Sequence, residues 1–220
     1  MEISEMIQKQ LVANTKQSLL QTSKMSLKDE ECEALITQAY RLLVEKKGRT
    51  FLEEKQVKEN IRAITKWSLE KNYNPFLFLA GTVGNGKTTL AKACIQVTNL
   101  YWQKREDLLQ VWRKPFKVVT ATELNEIAKD DSKEFKEIKG AQRMMIDDIG
   151  TEAVSVKNYG NVISPFVETL YHRYDKGLIT IMTSNLTLEE IRERYGVRVF
   201  DRMQESNKIF FRGESYRGNK

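Results

Sequence analysis

The residues with the clearest chemical meaning are eight consecutive ones, Gly81-Thr-Val-Gly-Asn-Gly-Lys-Thr88, which form a complete G-x-x-x-x-G-K-[ST] pattern. In such a phosphate loop, backbone N–H groups and a helix N-terminus surround a polyphosphate. The lysine reaches the β- and γ-phosphates, and the last hydroxyl binds Mg²⁺. The sequence therefore predicts a nucleoside triphosphate site, and its binding residues are Gly81, Gly84, Asn85, Gly86, Lys87, Thr88 and Thr89.

Two carboxylates follow the apolar run 144–146. Asp147 is placed to bind, directly or through water, the Mg²⁺ that bridges the β- and γ-phosphates, so Thr88 and Asp147 are the predicted metal ligands. Asp148 is placed to orient and polarise an attacking water. An acidic strand end that leads into a turn at Gly150 is the structural alternative, and the phosphate loop two strands earlier favours catalysis.

Three further polar residues are candidates for the reaction. Asn185 ends a predicted strand, and a neutral amide there would hold a water in line with the γ-phosphate, although a plain polar strand end has the same pattern. Arg198 and Arg202 lie four residues apart and share one face of a short predicted helix. An arginine delivered from a neighbouring subunit stabilises transition-state charge, while a surface ion pair is the alternative for Arg202.

The elements that must position these residues alternate along the chain. The predicted strands are 76–80, 117–120, 143–148, 178–185 and 208–212. A helix is predicted from Lys87 to about Trp102, with a charged extension to Trp112 as an alternative end. Strands that alternate with helices predict an α/β domain with a parallel sheet covered on both faces.

Capping signals predict where the other helices begin and end. A helix between Ser26 and Gly48 has Ser26 and Asp29 as its capping signal, and proline at 165 starts a helix that Gly177 ends. Three capping signals remain: Thr50 with Glu53, Thr122 alone for a helix to about Ala128, and Thr187 with Glu190 for a helix to about Gly196. Residues 197–203 form the last predicted helix.

Composition limits the class of protein. The 220 residues, 40% hydrophobic and 30% charged, fit one α/β domain with a helical appendage. We expect a cytoplasmic protein without membrane contact, because the N-terminus lacks a signal-peptide pattern and no apolar run is long enough to span a bilayer. Cys32 and Cys94 lie far apart in different predicted helices, which argues against a disulfide framework. The net charge of +6 is compatible with a polyanionic partner.

The chain resembles the DnaC-type AAA+ helicase loaders and is similar to the IstB-type transposition ATPases. The resemblance covers roughly residues 50–220 and rests on the phosphate loop and on the segments 146–150, 183–185, 198–203 and 215–217. It implies an AAA+ P-loop core that binds ATP and Mg²⁺, with Asn185 as sensor 1 and with Arg198 and Arg202 in the arginine-finger segment. Because the chain ends soon after the last predicted strand, we expect no C-terminal lid, as in the loaders. Asp148 departs from the more usual glutamate, and its shorter reach predicts slow hydrolysis.

The resemblance also implies partners and a division of the chain. Residues 1–48 form a helical N-terminal region that would bind a partner, and residues 49–220 form the ATPase domain. In such loaders the N-terminal region binds a replicative helicase and the core binds single-stranded DNA, while an IstB-like protein would assist a transposase. Self-association with ATP or DNA is implied too. The segment 151–164, with Lys157 and Tyr159, is either a DNA-contacting insertion or a surface loop.

Two other classes of function compete with a DNA-directed ATPase. A small-molecule kinase with a P-loop would need a mobile lid rich in arginines, and the sequence has no such insertion. A non-catalytic adaptor that only binds ATP would not need both acidic residues, so the presence of Lys87, Asp147 and Asp148 argues against it. ATP hydrolysis stimulated by single-stranded DNA would distinguish the DNA-directed ATPase from the kinase.

Overall fold

A computed structural model describes residues 25–70, 74–104, 114–130, 132–158 and 160–212. The predictions for residues 1–24, for the helix extension to Trp112, for Tyr159 and for the ending 215–217 lie outside this part of the chain. Within it, no helix is both long and apolar enough to cross a membrane.

Eight helices and seven strands make up the described residues. The helices are α1 (Asp29–Glu45), α2 (Lys55–Leu69), α3 (Lys87–Gln103), α4 (Ala121–Asp130), α5 (Ser132–Lys139), α6 (Pro165–Lys176), α7 (Leu188–Tyr195) and α8 (Val197–Glu205). The strands are β1 (Phe76–Gly81), β2 (Lys117–Thr120), β3 (Arg143–Ile149), β4 (Val156–Asn158), β5 (Asn161–Ile163), β6 (Ile179–Ser184) and β7 (Asn207–Phe211). All five strands predicted from the sequence are confirmed.

The main sheet has five parallel strands in the order β2-β3-β6-β1-β7. Alternate residues of its interior strand β1, which lies between β6 and β7, point to opposite faces, and both faces are buried. Leu77 and Leu79 belong to a core with α1, α2 and α3, whereas Phe76 and Phe78 belong to a core with α4, α6, α7 and α8. A fully buried strand of this kind is an apolar run without alternation, which is why the sequence identified it. The predicted α/β fold with a parallel sheet is confirmed.

Helix α1 buries one face in the core that it shares with α2, α3 and the sheet. Its Cys32, Ile36 and Tyr40 are buried in the same core as Leu77. Cys32 and Cys94 lie in α1 and α3, and both are buried cysteines that form no disulfide with each other. The predicted domain boundary at residue 48 stays a prediction.

Two of the capping predictions near the N-terminus are wrong. Helix α1 begins at Asp29 with Lys28 as N-cap and has no side-chain cap from Ser26. Helix α2 begins at Lys55 with Glu54 as N-cap, so Thr50 and Glu53 form no capping box. The Glu53 carboxylate instead pairs with Arg41 at 2.5 Å and with Lys58 at 3.6 Å. These ion pairs take the carboxylate that a capping box would need.

Of the remaining helix-boundary signals, two are confirmed and one is wrong. Thr187 and Glu190 form the predicted capping box of α7. Proline at 165 begins α6 and Gly177 ends it in the left-handed region, as predicted. The cap at Thr122 is wrong, because α4 begins at Ala121. The reciprocal bonds join Thr120 and Glu123, with the Glu123 N–H donating to the Thr120 hydroxyl at 3.1 Å and the Thr120 N–H donating to the Glu123 carboxylate at 2.7 Å.

Two features between the large elements were not predicted. Helix α5 follows α4 before β3, and strands β4 and β5 form an antiparallel hairpin inside the segment 151–164. That segment is therefore not a plain surface loop. The hairpin is fixed to the end of α4, because the Asn158 amide donates to the carbonyls of Ala128 and Lys129.

Candidate nucleotide-binding site

The phosphate loop connects β1 to α3 at the carboxyl edge of the sheet. Gly86 precedes the helix with φ 95°, a region that disfavours every residue with a Cβ atom. Its backbone is also closely covered: a Cβ atom built there would lie 2.3 Å from the Tyr40 hydroxyl oxygen. The glycine thus lets helix α1 contact the loop, so α1 becomes one wall of the site.

The Lys87 side chain lies inside the loop and is 5% exposed. Its ammonium group donates to the carbonyls of Gly81 and Thr82, both at 2.7 Å. It also donates to the side-chain oxygen of Asn85 at 3.2 Å and to that of Asn185 at 2.9 Å. The predicted phosphate-binding cation and the predicted sensor amide therefore meet at one point.

Asp147 is the acidic centre of the site and is 5% exposed. Its Oδ1 accepts hydrogen bonds from the Thr88 hydroxyl at 2.8 Å and from the Thr183 hydroxyl at 2.6 Å. The Lys92 ammonium lies 3.9 Å from its Oδ2. The two predicted metal ligands, Thr88 and Asp147, are thus in direct contact, and both are hard oxygen donors of the kind that Mg²⁺ prefers. The residues present fit that ion.

Asp148 has an unusual backbone conformation. Its φ of 55° makes it the one non-glycine residue with a positive φ in the described chain. A left-handed residue costs about 1 kcal/mol or more unless its surroundings hold it. Here the Asp148 N–H donates to the Thr183 hydroxyl at 2.9 Å, and the Asp148 carbonyl accepts from the Thr151 hydroxyl at 2.8 Å. The conformation turns the side chain toward the cavity, which Asp148 lines.

These groups surround a cavity of about 630 Å³, large enough for a nucleotide. Its phosphate end is formed by the loop, Asp148 and Asn185. The other end is apolar and comes from helices α1 and α2 and the segment between them: Tyr40, Val44, Phe51, Leu52 and Val57. Lys47 and Arg49 line it as well, and the Lys47 ammonium donates to the Thr89 hydroxyl at 2.8 Å.

The two predicted arginines do not line this cavity. Arg198 is exposed on α8. The Arg202 guanidinium lies over two aromatic rings, 4.3 Å from the centroid of Tyr171 and 4.9 Å from that of Tyr174. Helix α8 therefore carries one cation in solvent and one that is packed within the chain.

Several residues of the site were missed from the sequence. Tyr40 lies on α1, Phe51 in the segment between α1 and α2, and Val57 on α2, all more than 20 residues before the loop. An apolar helix stripe gives no sign that part of it faces a ligand. Thr183 carried a signal, because it stands directly before Ser184 and Asn185 at a strand end and next to β3. Its hydroxyl points to the Asp147 carboxylate rather than to solvent.

Comparison with known proteins was made on sequence and on structure. No protein-family model matches the chain, and no curated protein matches it. Among solved structures, the DnaC helicase loader aligns with a TM-score of 0.55 and 16% identity, over 74% of this chain and 93% of that one. DnaI aligns with a TM-score of 0.55 and 20% identity, over 86% of this chain and 96% of that one.

A third similar structure is the replication initiator DnaA bound to AMPPCP and single-stranded DNA. It aligns with a TM-score of 0.52 and 16% identity, over 74% of this chain and 49% of that one, so the alignment takes in about half of DnaA. At these identities the likeness establishes the fold. The chain shares the α/β fold of these structures, with a parallel sheet flanked by helices, and the resemblance inferred from the sequence is confirmed at the level of the fold.

Proposed function

We propose that this protein binds ATP with Mg²⁺ and hydrolyses it, as an oligomeric switch that acts on single-stranded DNA and a replicative helicase. The observation that carries the proposal is the convergence of Lys87, Asp148 and Asn185 on one cavity, with Asp147 directly behind Thr88. A phosphate-binding cation, a metal-binding carboxylate and a second carboxylate are what hydrolysis of a nucleoside triphosphate needs.

Each residue at the phosphate end has a separate task in this proposal. Lys87 exchanges part of its bonds to loop carbonyls for the β- and γ-phosphates of ATP. Asp148 accepts a proton from the attacking water, and the Asn185 amide holds that water in line without competing for the proton. Thr88 and Asp147 hold Mg²⁺, which supplies positive charge to the phosphate oxygens.

The apolar end of the cavity would hold the base. Tyr40 and Phe51 form an edge-to-face pair with ring centroids 5.4 Å apart, and Leu52 and Val57 complete an apolar surface beside it. A planar base gains from burial against such a surface. Because Tyr40 belongs to α1, nucleotide binding would also hold α1 against the phosphate loop.

Arg198 would complete the site of a neighbouring subunit. It is exposed and does not line the cavity of its own chain, so Arg198 would reach a γ-phosphate in another copy, where it would add to the charge of that copy's lysine. An arginine supplied in trans stabilises the transition state of phosphoryl transfer. The same role for Arg202 stays a prediction.

Support for the nucleic-acid partner is of two kinds. The net charge of +6 favours a polyanion, and the structurally similar DnaA was solved with single-stranded DNA and AMPPCP. The helicase partner is supported by the similar DnaC structure, which is a helicase loader. An IstB-like protein that assists a transposase is the alternative for the protein partner.

Hydrolysis of ATP with and without single-stranded oligonucleotide tests the core of this proposal. We expect slow turnover that the oligonucleotide stimulates and that Lys87→Ala abolishes. Fluorescence anisotropy of a labelled oligonucleotide should show binding that weakens with salt, with a log–log slope of about −0.7 per phosphate contact. A kinase would transfer phosphate to an acceptor and ignore DNA. The absence of both DNA binding and DNA-stimulated hydrolysis at low salt would overturn the DNA-directed function.

A further inference from the structure

We propose that Thr183 is a positioning residue for both carboxylates of the site, so that its single hydroxyl group sets the geometry of metal binding and of water activation. The inference rests on the proposed function, because it concerns the same Asp147 and Asp148. No motif in the phosphate loop or the acidic strand includes Thr183, which lies on β6.

The sheet has an irregularity where the two carboxylates lie. Ile146 of β3 pairs with Met182 of β6, but the next pair joins Ile149 to Ser184. Three steps along β3 thus match two along β6, which is the signature of a β-bulge with one extra residue. Asp147 and Asp148 occupy this bulge, and bulges redirect side chains while they interrupt the regular ladder of backbone hydrogen bonds.

Two hydroxyl groups of β6 replace the interrupted backbone bonds. Both Thr183 and Ser184 are fully buried. The Ser184 hydroxyl donates to the Ile149 carbonyl at 2.6 Å, which closes the bulge at its far end. The Thr183 hydroxyl lies inside the bulge, 2.9 Å from the Asp148 backbone nitrogen and 2.6 Å from Asp147 Oδ1.

The direction of each bond follows from the chemistry of the groups. The Asp148 N–H is only a donor, so the Thr183 oxygen accepts from it. A hydroxyl has one proton, and with that bond made the proton points to the Asp147 carboxylate. The hydroxyl therefore fixes the backbone of one aspartate and the side-chain rotation of the other. Asp147 Oδ1 accepts from the hydroxyls of Thr183 and Thr88, while Oδ2 lies 3.9 Å from the Lys92 ammonium.

Removal of this hydroxyl has a specific consequence. Asp147 loses one of the two bonds that hold its rotation, and the Asp148 N–H loses its acceptor inside the strained left-handed turn. Partners that orient a metal ligand are worth about 10- to 100-fold in metal affinity or activity. The effect should appear where Mg²⁺ contributes to binding, and it should be absent where ATP binds through the loop alone.

The test compares ATP affinity in Mg²⁺ with ATP affinity in EDTA, measured by isothermal titration calorimetry. Thr183→Val removes the hydroxyl and keeps the shape, and Thr183→Ser keeps the hydroxyl. Thr169→Val is the matched control, because Thr169 is also fully buried and its hydroxyl has no hydrogen-bond partner among the described residues. Thr183→Ala replaces Thr183→Val if the melting temperature shows that the valine variant does not fold.

We expect Thr183→Val to lower the Mg²⁺-dependent gain in affinity by about tenfold and to leave affinity in EDTA unchanged. The kcat for ATP hydrolysis should fall in Thr183→Val as well. Thr183→Ser and Thr169→Val should keep the kcat and the Mg²⁺-dependent gain in ATP affinity of the parent protein. The proposal would be overturned if Thr183→Val kept the Mg²⁺-dependent gain in ATP affinity of the parent protein. It would also be overturned if Thr183→Ser lost as much of that gain as Thr183→Val. Because the affinity ratio needs no turnover, a parent protein that binds Mg²⁺-ATP without hydrolysing it would contradict the proposed function and leave this test valid.

Discussion

The charged side chains at the phosphate end of the cavity are buried, whereas helix α8 carries one exposed arginine and one arginine stacked on aromatic rings. At the phosphate end, Lys87 and Asp147 are each 5% exposed and are held by hydrogen bonds to the polar groups around them. On α8, Arg198 points into solvent and Arg202 is stacked on two tyrosines. The phosphate end holds both of its charged groups in place within the chain. Helix α8 holds Arg202 in place and leaves Arg198 in solvent.

This difference indicates which chemistry one subunit can complete by itself. Burial among fixed dipoles makes a charge effective without reorganisation during the reaction, so nucleotide binding needs only this chain. An exposed arginine is strongly hydrated and carries little interaction energy until a partner removes the water. We therefore expect Arg198 to act only in an assembly. The predictions below test that division.

The largest effect is expected for Arg198→Ala in the assembled protein. Loss of an arginine supplied in trans should lower kcat by about a thousandfold. Nucleotide affinity of the isolated subunit should not change, because Arg198 lies outside its own cavity. Steady-state hydrolysis with single-stranded DNA, together with ATP binding at low protein concentration, measures both quantities.

Mixing of variants provides the control for that prediction. Arg198→Ala has an intact phosphate loop, and Lys87→Ala has an intact arginine, so a mixed assembly contains some complete sites. We expect the mixture to recover part of the parent rate. If both proteins co-assemble and the mixture stays inactive, Arg198 does not act in trans.

Asp148→Asn should give the next largest effect. General-base catalysis is worth about 10²–10⁴ in rate, and an amide cannot take the proton, so kcat should fall at least about a hundredfold. Affinity for ATP should stay at the parent value, since Lys87 and the loop are intact. Asp175→Asn, on the exposed end of α6, is the matched control. Hydrolysis by Asp148→Asn at the parent rate would show that Asp148 is not the base.

Lys87→Ala tests the phosphate end as a binding device. A charge-assisted hydrogen bond is worth about 1.5–3 kcal/mol, so loss of the ammonium should weaken ATP binding by about a hundredfold. Lys117→Ala changes an exposed lysine of β2 at the sheet edge and should bind ATP like the parent. Calorimetric titration with ATP measures both variants. Equal affinities would mean that the cavity is not the nucleotide site.

The two regions also differ in how much the sequence reveals. The phosphate loop is contiguous, so its local pattern predicts both residue types and geometry, and its residues 83–88 line the cavity. Asp147 and Asn185 are distant in sequence, but each ends a strand of the same parallel sheet. Strand ends of such a sheet meet at one edge, which is why the approach of Asn185 to Lys87 and of Asp147 to Thr88 was predictable.

Contacts between distant side chains account for what the sequence did not reveal. Glu53 matches a capping box, but Arg41 and Lys58 bind its carboxylate instead. The aromatic wall at Tyr40 requires knowledge of how α1 packs on the loop. Strands β4 and β5 have three residues each, too few for an alternating pattern to emerge. The stacking of Arg202 depends on α6, which is remote in sequence from α8.

The smallest expected effect separates Arg202 from Arg198 by stability. The Arg202 guanidinium stacks on Tyr171 and Tyr174, and its NH1 donates to the Arg198 carbonyl at 3.1 Å. A cation–π contact at a partly exposed site is worth about 0.5–1 kcal/mol, so Arg202→Gln should lose about 1 kcal/mol. For a chain of this size that lowers Tm by about 2–4 °C.

Arg198→Gln is the matched control for that measurement, because glutamine and arginine have similar helix propensities and both positions lie on α8. Arg198 is exposed, so its replacement should leave Tm at the parent value while it removes the trans effect on kcat. Arg202→Lys should melt between Arg202→Gln and the parent, since an ammonium can still make a cation–π contact but cannot stack as a planar guanidinium does. Equal melting temperatures for Arg202→Gln and Arg198→Gln would contradict the division of labour on α8. The stacking of Arg202 would then contribute nothing measurable, and its planar guanidinium would be as free as that of Arg198 to serve a neighbouring site.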